Sequence, residues 1–331
     1  MILLLGATGY VGQAFARELR RRGECFVPLS RSAFDYTCFE HLFDYVRRIE
    51  PEFVINAAGS FEKAFGVDGA VDRLEALQVN TLVPQTVARV CGITNTPWAQ
   101  LSSGSIYSGA KLQENGETRI ERDLGRPELR QCFEAHPESF SGFTECDEPN
   151  SCFRHPPCNF YSGTKALAEE AIRKQGQNYI WRFLAPFNEH DEPCNWLSQL
   201  LRGPMIHDAI TSLSHLEDCV RAGLELWERR APFGTYNLAN PGAVAIRRVA
   251  ELVRWRLKPH RKFRWWNPDA KVLGGGAGVL PSSCILDVSK LLKTGVEMRP
   301  VTQALEDSLS KWQPAQAGSW HQAALSVHTG V

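Results

Sequence analysis

The chain has 331 residues, 37 of them basic and 37 acidic, so its formal net charge is zero. That length accommodates about two domains of ~150 residues and a full core without disulfide or metal staples. Hydrophobic residues at 43% and charged residues at 22% exclude wholesale disorder, and the balanced charge argues against a nucleic-acid partner.

Residues 1–5 form an apolar run of strand length that breaks at Gly6. The run is too short for a signal peptide and lacks the basic flank, and no stretch reaches the ~18 apolar residues of a membrane span. A soluble, cytoplasmic protein with no membrane partner is the expectation. A helix is predicted from about Val11 to Arg22, with Gly23 ending it after the basic last turn. Residues 24–29 read as a second strand. Residues 41–49 read as a helix with Leu42, Phe43, Val46 and Ile49 on one face, and 53–57 as a third strand. One long helix is expected over 74–91, then a strand over 98–102, a helix rich in Ala and Glu over 161–174, and a strand over 179–183. This alternation predicts an α/β fold, a doubly wound parallel sheet of the Rossmann type, over residues 1–184.

Residues 107–159 carry five prolines and little periodicity, and read as an irregular insertion (about 108–159) beside the active site. After Leu184 the pattern loosens into helices at 195–202, 216–229 and 245–257 and short strands at 235–238 and 284–287. These define a smaller, mixed substrate-binding lobe over 185–312, in which Trp265 and Trp266 face a subunit neighbour or the lobe junction. Gly274, Gly275 and Gly276 read as a flexible loop, and the polar tail from 313 to 331 is expected to fray. The ten cysteines form no CxxC pair and read as free thiols. Cys146, Cys152, His155 and Cys158 are too loosely spaced for a zinc knuckle, and Pro149, Pro156 and Pro157 stiffen their segment, so no metal is expected.

Four segments carry chemistry. The first, Gly6-Ala7-Thr8-Gly9-Tyr10-Val11-Gly12, follows a strand and opens a helix, the context a dinucleotide fingerprint requires. Gly6 permits the tight turn, Gly9 the approach of the pyrophosphate to the backbone, and Gly12 the packing of helix on sheet. The second is Val27-Pro-Leu-Ser30-Arg31-Ser32. An NAD site wants an acid here for the ribose 2′-hydroxyl; Arg31, beside Ser30, suits a 2′-phosphate instead. NADP(H) is favoured, with NAD(H) left open. The third is Tyr161-Ser-Gly-Thr-Lys165, whose spacing puts phenol and ammonium on one helical face. The ammonium is expected to lower the phenol from ~10 toward neutrality and make it a usable acid or base. The fourth is Leu101-Ser-Ser103-Gly-Ser105-Ile-Tyr107, at the carboxyl end of a strand, where ligands of such sheets bind. A serine hydroxyl there can donate to a substrate carbonyl.

With Asn56-Ala57-Ala58-Gly59, these motifs resemble the extended short-chain dehydrogenase/reductase superfamily, whose members act mostly on nucleotide sugars. Residues 142–175 and 235–312 look most like the dTDP-4-dehydrorhamnose reductase branch and the reductase portion of plant-type UDP-rhamnose synthases. The resemblance implies Tyr161 as catalytic acid/base, Lys165 as the lysine that tunes it and holds the nicotinamide ribose, and Ser103 as the catalytic hydroxyl. It implies Asn56 to Gly59 as a turn lining the cofactor, with Asn80 in the helix beside it. Arg182, Pro186 and Asn188 are implied beneath nicotinamide and sugar, with Ser103 and Ser105 toward the substrate. Asn195 and Trp196 are further substrate candidates. So is His215, although Ser214-His-Leu-Glu217 also reads as an N-cap with a capping box. The expected reaction is NADPH-dependent reduction of a 4-keto-6-deoxy nucleotide sugar by a homodimer paired through helices 74–91 and 161–174.

The long insertion is similar to that of nucleotide-sugar 2-epimerases of the tyvelose type, so epimerisation with tightly bound NAD is the alternative. A non-catalytic NADP-binding regulator is a third reading. Bifunctional epimerase-reductases of the branch carry a cysteine where this chain has Ala70, in Val67-Asp68-Gly69-Ala70, which argues for reduction alone.

Overall fold

The computed structural model describes residues 1–60, 70–114, 116–203, 205–258, 260–265 and 283–315. Gly274 to Gly276, Trp266, the tail beyond Ala315 and residues 67–69 before Ala70 lie outside them. Its centre is a six-stranded parallel sheet in the order β2–β1–β3–β4–β8–β12. These strands are β1 (Ile2–Leu5), β2 (Phe26–Leu29), β3 (Phe53–Asn56), β4 (Trp98–Ser103), β8 (Asn178–Phe183) and β12 (Gly234–Asn237). All four residues of β1 are buried, because helices cover both faces of a parallel sheet and alternate side chains enter two separate cores.

On one face, α1 (Tyr10–Arg22) and the later helix Leu216–Glu228 send Phe15, Leu19 and Trp227 onto Ile2, Leu4, Phe53 and Trp181. Phe53 and Trp227 stack with ring centres 4.3 Å apart. On the other face, α2 (Phe39–Ile49), Val87 and Val90 meet Leu3, Leu5 and Val54. Gly23 ends α1 at φ +70 with its N–H on the Arg20 carbonyl, as the basic last turn and glycine predict.

The predicted helix over 74–91 is interrupted. α3 (Ala70–Leu77) passes through a π turn, Gln78–Leu82, into α4 (Val83–Thr94). Pro84 has no N–H to give the Asn80 carbonyl and its ring crowds that oxygen, so the backbone widens there.

The insertion is not irregular. β5 (Ala110–Glu114) pairs antiparallel with β6 (Glu117–Glu121) and β7 (Phe140–Ser141), and α5 (Pro127–Ala135) packs alongside. Ala110 and Leu112 are buried while Lys111 and Gln113 turn outward, a two-residue alternation. Asn115-Gly116, a two-residue hairpin signature, was the signal for it.

α6 (Phe160–Ile172) follows, and after β8 the chain leaves the sheet through β9 (Pro186–Phe187), α7 (Trp196–Arg202), β10 (Ile210–Thr211) and β11 (Ser214–His215). It returns as α8 (Leu216–Glu228), which packs on α1, and as β12, the sheet's sixth strand. The expected lobe over 185–312 is therefore split, with 216–237 belonging to the sheet layer. The lobe's own core joins α7 to β13 (Val244–Ala245), α9 (Ile246–Arg256) and α11 (Val301–Ser310) through Leu197, Leu200, Val249, Val253 and Leu305. α10 (Ser289–Leu292) precedes α11. Trp265 packs against this core with the Arg247 guanidinium 4.2 Å above its ring. The expected strand at 284–287 makes only single bridges, Cys284 to Gly109 and Leu286 to Phe143. The tail is tied as far as Ala315, because the Gln313 N–H donates to the Glu189 carbonyl at 2.8 Å. Among the described residues no helix is long and apolar enough to cross a membrane.

Candidate active site

β2 and β3 flank β1, so the chain order reverses between β1 and β3, and the crevice beyond their carboxyl ends is the expected ligand site. Gly6 leaves β1 at φ +74, and a Cβ on it would lie 2.5 Å from the Ala58 nitrogen. A Cβ on Gly12 would lie 2.0 Å from the Gly6 carbonyl oxygen. Backbone touches backbone at both places, which only glycine allows. Above Gly9 the space is open: a Cβ there meets only the Gly6 oxygen, at 3.4 Å. α1 starts directly after Gly9 with no side-chain cap and no acid in its first turn, so its free N–H groups and dipole are left for an anion. An open glycine below a bare helix N-terminus at the switch point fits a dinucleotide pyrophosphate.

Around this turn, Thr8 is exposed, and its carbonyl accepts from Gln13 Nε2 at 2.7 Å. Tyr10 and Val11 pack on the core. The Tyr10 hydroxyl is buried without a hydrogen-bond partner, and burial, then Glu217, hold its pKa well above the usual phenol range. Arg31 lies just past β2 with Nη2 3.0 Å from Glu75, and Ser30 Oγ is 2.9 Å from Ser32 Oγ. A partly exposed pair such as Arg31–Glu75 is weak enough to yield to a phosphate.

Asn56 is fully buried and bonds Gln100 (2.7 Å) and the Ala58 N–H (3.2 Å). It shapes the turn of Ala57, Ala58 and Gly59 instead of facing a ligand. Asn80, in the π turn, bonds both backbone groups of Ser60 (2.9 and 3.0 Å) and Thr164 Oγ1 (3.2 Å). It clamps that turn to α6, and it too faces protein on every side.

Ser103 ends β4; Tyr161 and Lys165 stand on the first turns of α6. Ser103 is hydrogen-bonded to the Tyr161 hydroxyl and to Ser105 Oγ at 2.9 Å. Lys165 Nζ lies 5.8 Å from the centre of the Tyr161 ring and donates to the Leu101 carbonyl at 3.2 Å. A Cβ on Gly59 would come within 3.6 Å of the same ammonium. Hydroxyl, phenol and ammonium thus converge beside the dinucleotide turn.

Burial pushes Tyr161 up to about 12, with Ser103 opposing, and pulls Lys165 down to about 8, with Glu169 opposing. The expectation of a phenol lowered toward neutrality does not hold: desolvation of the phenolate outweighs an ammonium that is turned to the Leu101 carbonyl. A phenol that keeps its proton is equipped to act as an acid.

Most residues predicted to contact substrate are spent on protein contacts. Arg182 is fully buried, with Nε and Nη2 on Glu169 at 2.6 to 3.1 Å and Nη1 on the Tyr107 hydroxyl at 3.0 Å. Asn195 caps α7 through the Leu197 N–H (2.9 Å) and donates to Asn188 Oδ1 (2.9 Å), while Asn188 donates to Glu217 (3.2 Å). Trp196 packs on the lobe core. His215, not Ser214, caps α8: its Nδ1 accepts from the Asp218 N–H at 3.3 Å, while Ser214 Oγ donates to the Leu238 carbonyl at 2.6 Å.

Glu189, His215 and Glu217 are the one set of three metal-ligand types converging among the described residues. Arg299 Nη2 stands 3.2 Å from His215 Nδ1 and Arg17 stands 3.2 Å from Glu217, so cations of the chain already serve it. The His215 imidazole, with Nε2 3.8 Å from Glu189 Oε2, holds the Glu189 carboxyl at about 2. Of the predicted substrate residues, Ser103 and Ser105 remain at the site. Sequence reasoning missed Glu169, although its four-residue step from Lys165 was there to be read.

Residues 1–313 match the family described as RmlD substrate binding domain. The chain belongs to that family. A trifunctional UDP-glucose 4,6-dehydratase/UDP-4-keto-6-deoxy-D-glucose 3,5-epimerase/UDP-4-keto-L-rhamnose-reductase of Arabidopsis thaliana is 27% identical over 318 residues, covering 94% of this chain and 41% of its own length. The chain thus spans about two-fifths of the plant relatives it matches. Among solved structures, the L780 UDP-rhamnose synthase of Acanthamoeba polyphaga mimivirus superposes with a TM-score of 0.72 at 18% identity, covering 94% of this chain and 98% of that one. A dTDP-4-dehydrorhamnose reductase of Bacillus anthracis, in complex with NADP, gives 0.69 at 18% identity, covering 94% and 97%. These likenesses show a shared α/β fold built on the parallel sheet.

Proposed function

We propose that the protein reduces the 4-keto group of a 4-keto-6-deoxy nucleotide sugar with NADPH. The observation that carries this reading is the convergence of Ser103, Tyr161 and Lys165 beside an open glycine turn. Family membership and the reductase activities named for the relatives support it. NADPH, held by the Gly6–Gly12 turn and Lys165, would supply the hydride to C4. Tyr161 donates its proton to the C4 oxygen, and its raised pKa keeps that proton in place until charge develops. Ser103 orients the same oxygen, and Lys165 holds the nicotinamide ribose. Arg31 recognises the 2′-phosphate after leaving Glu75. Ala70 opens α3; by the resemblance it stands where bifunctional epimerase-reductases carry a cysteine, which supports reduction without 3,5-epimerisation.

The reading includes a cytoplasmic homodimer. All ten cysteines are free thiols, as a reducing compartment keeps them. Leu74 (67% exposed), Leu82 (49%) and Leu167 (39%) lie along the two helical segments expected to pair.

A panel of 4-keto nucleotide sugars with NADPH and NADH, followed at the nicotinamide absorbance, tests the reaction. Oxidation of NADPH by at least one 4-keto-6-deoxy sugar is expected. The ordered insertion favours the epimerase as second reading; purified protein carrying NAD and needing no added NADPH would establish that instead. NADPH binding with turnover of none of the sugars would mark a regulator.

A further inference from the structure

The end of β2 has no acid of its own for a ribose 2′-hydroxyl, but the fold brings one there from α3. The glycine turn is tied to β2 by the Ala7 N–H, which donates to the Leu29 carbonyl at 3.0 Å. Just past Leu29 the chain folds back, with the Ala33 and Phe34 N–H groups donating to the Ser30 carbonyl at 3.1 and 3.0 Å. This tight turn presents Arg31 next to the glycine turn and sets Ser30 Oγ 2.9 Å from Ser32 Oγ. Glu75, 44 residues on in sequence, puts Oε1 3.0 Å from Arg31 Nη2. α3 is a fixed support for it. Ala76 is fully buried, and the π turn that continues the helix is bonded through Asn80 to Ser60 and Thr164. The side chains of Arg31 and Glu75 are 41% and 28% exposed, so a ligand can reach the pair.

We propose that Glu75 is a specificity-determining residue for the cofactor: with Arg31 it forms a paired anion and cation that admits both NADPH and NADH and sets the balance between them. This rests on the dinucleotide site of the reductase reading. The two cofactors differ only at the ribose 2′ position, which carries a phosphate in one and a hydroxyl in the other. For a phosphate, Arg31 turns its fork to the phosphate oxygens, with the Ser30 and Ser32 hydroxyls as further donors. Glu75 is then a carboxylate left beside a second anion, and it weakens binding. For a 2′-hydroxyl, Glu75 accepts the hydrogen bond, as an acid at the end of the second strand does in NAD sites, and Arg31 stays paired. An exposed ion pair adds little to the stability of the fold, so the effect of this one falls on the ligand.

The test is titration of the full chain with NADPH and with NADH, read by the fluorescence of the reduced nicotinamide with no sugar present. The parent protein should bind both, with dissociation constants within about tenfold of each other. Glu75→Gln keeps the side chain's size and removes its charge. It should bind NADPH about threefold more tightly and NADH about fivefold more weakly. Arg31→Met should weaken NADPH by about tenfold or more and change NADH by less than about threefold. A purely structural role for Glu75 would move both constants in one direction, so opposite shifts are the signature. Constants that move together or not at all in Glu75→Gln, or a parent protein that does not bind both cofactors, overturn the proposal. Binding is read without turnover, so opposite shifts in a protein that reduces no sugar remove the reductase reading alone. Unmoved constants in an active reductase remove this role alone.

Discussion

Lys165 is an ammonium held where water hardly reaches it, at 4% exposure. Its folded pKa of about 8 lies below the ordinary 10.5, so between these values the unfolded chain binds more protons than the folded one. Stability therefore rises with pH through that window, and below pH 8 the fold carries the full cost of the buried charge. Lys165→Met should then stabilise the protein at pH 7 by ~1–3 kcal/mol in urea unfolding while abolishing turnover. A loss of stability at pH 7 would show that the ammonium is structurally required. The candidate site was legible because its signals are local: Gly6, Gly9 and Gly12 in one turn, Tyr161 and Lys165 in one helix. Arg182 was misread because its partners, Glu169 and Tyr107, lie 13 and 75 residues away, and an arginine near a site looks the same whether its fork is free or filled.

Individual elements divide in the same way. β1 and α1 are stated outright by an apolar run, a glycine turn and a basic last turn ended by Gly23. The π turn was hidden, because Pro84 inside a helical pattern signals a disturbance without saying which kind. The insertion was hidden because its strands are short and β7 returns to β5 only after α5. Its anchor is Gly109, at φ +96, where a Cβ would lie 1.8 Å from the Glu121 carbonyl oxygen. Both the backbone angle and the contact forbid a side chain. Gly109→Ala should cost ~2–4 kcal/mol in denaturant unfolding and raise the substrate KM more than the NADPH KM, since the insertion lies away from the dinucleotide turn. Equal effects on both constants would separate the insertion from the substrate pocket.

At the scale of the molecule, the sixth strand could not be placed from its sequence. Gly234–Asn237 reads as a strand wherever it sits, and only its pairing with β8 assigns it to the sheet. The pairing of subunits is argued from exposed leucines on α3, the π turn and α6. Leu82→Arg should turn a dimer into a monomer in light scattering, and a monomeric parent protein would dismiss that surface. On the proposed reaction, the sheet and the glycine turn together bring the Tyr161 phenol to the substrate carbonyl. The most direct measurement is steady-state turnover of Tyr161→Phe with NADPH and the best sugar of the panel, alongside its NADPH dissociation constant. The account predicts a kcat lower by ~10²–10⁴-fold, with NADPH affinity within about threefold of the parent; near-normal turnover by Tyr161→Phe would contradict it.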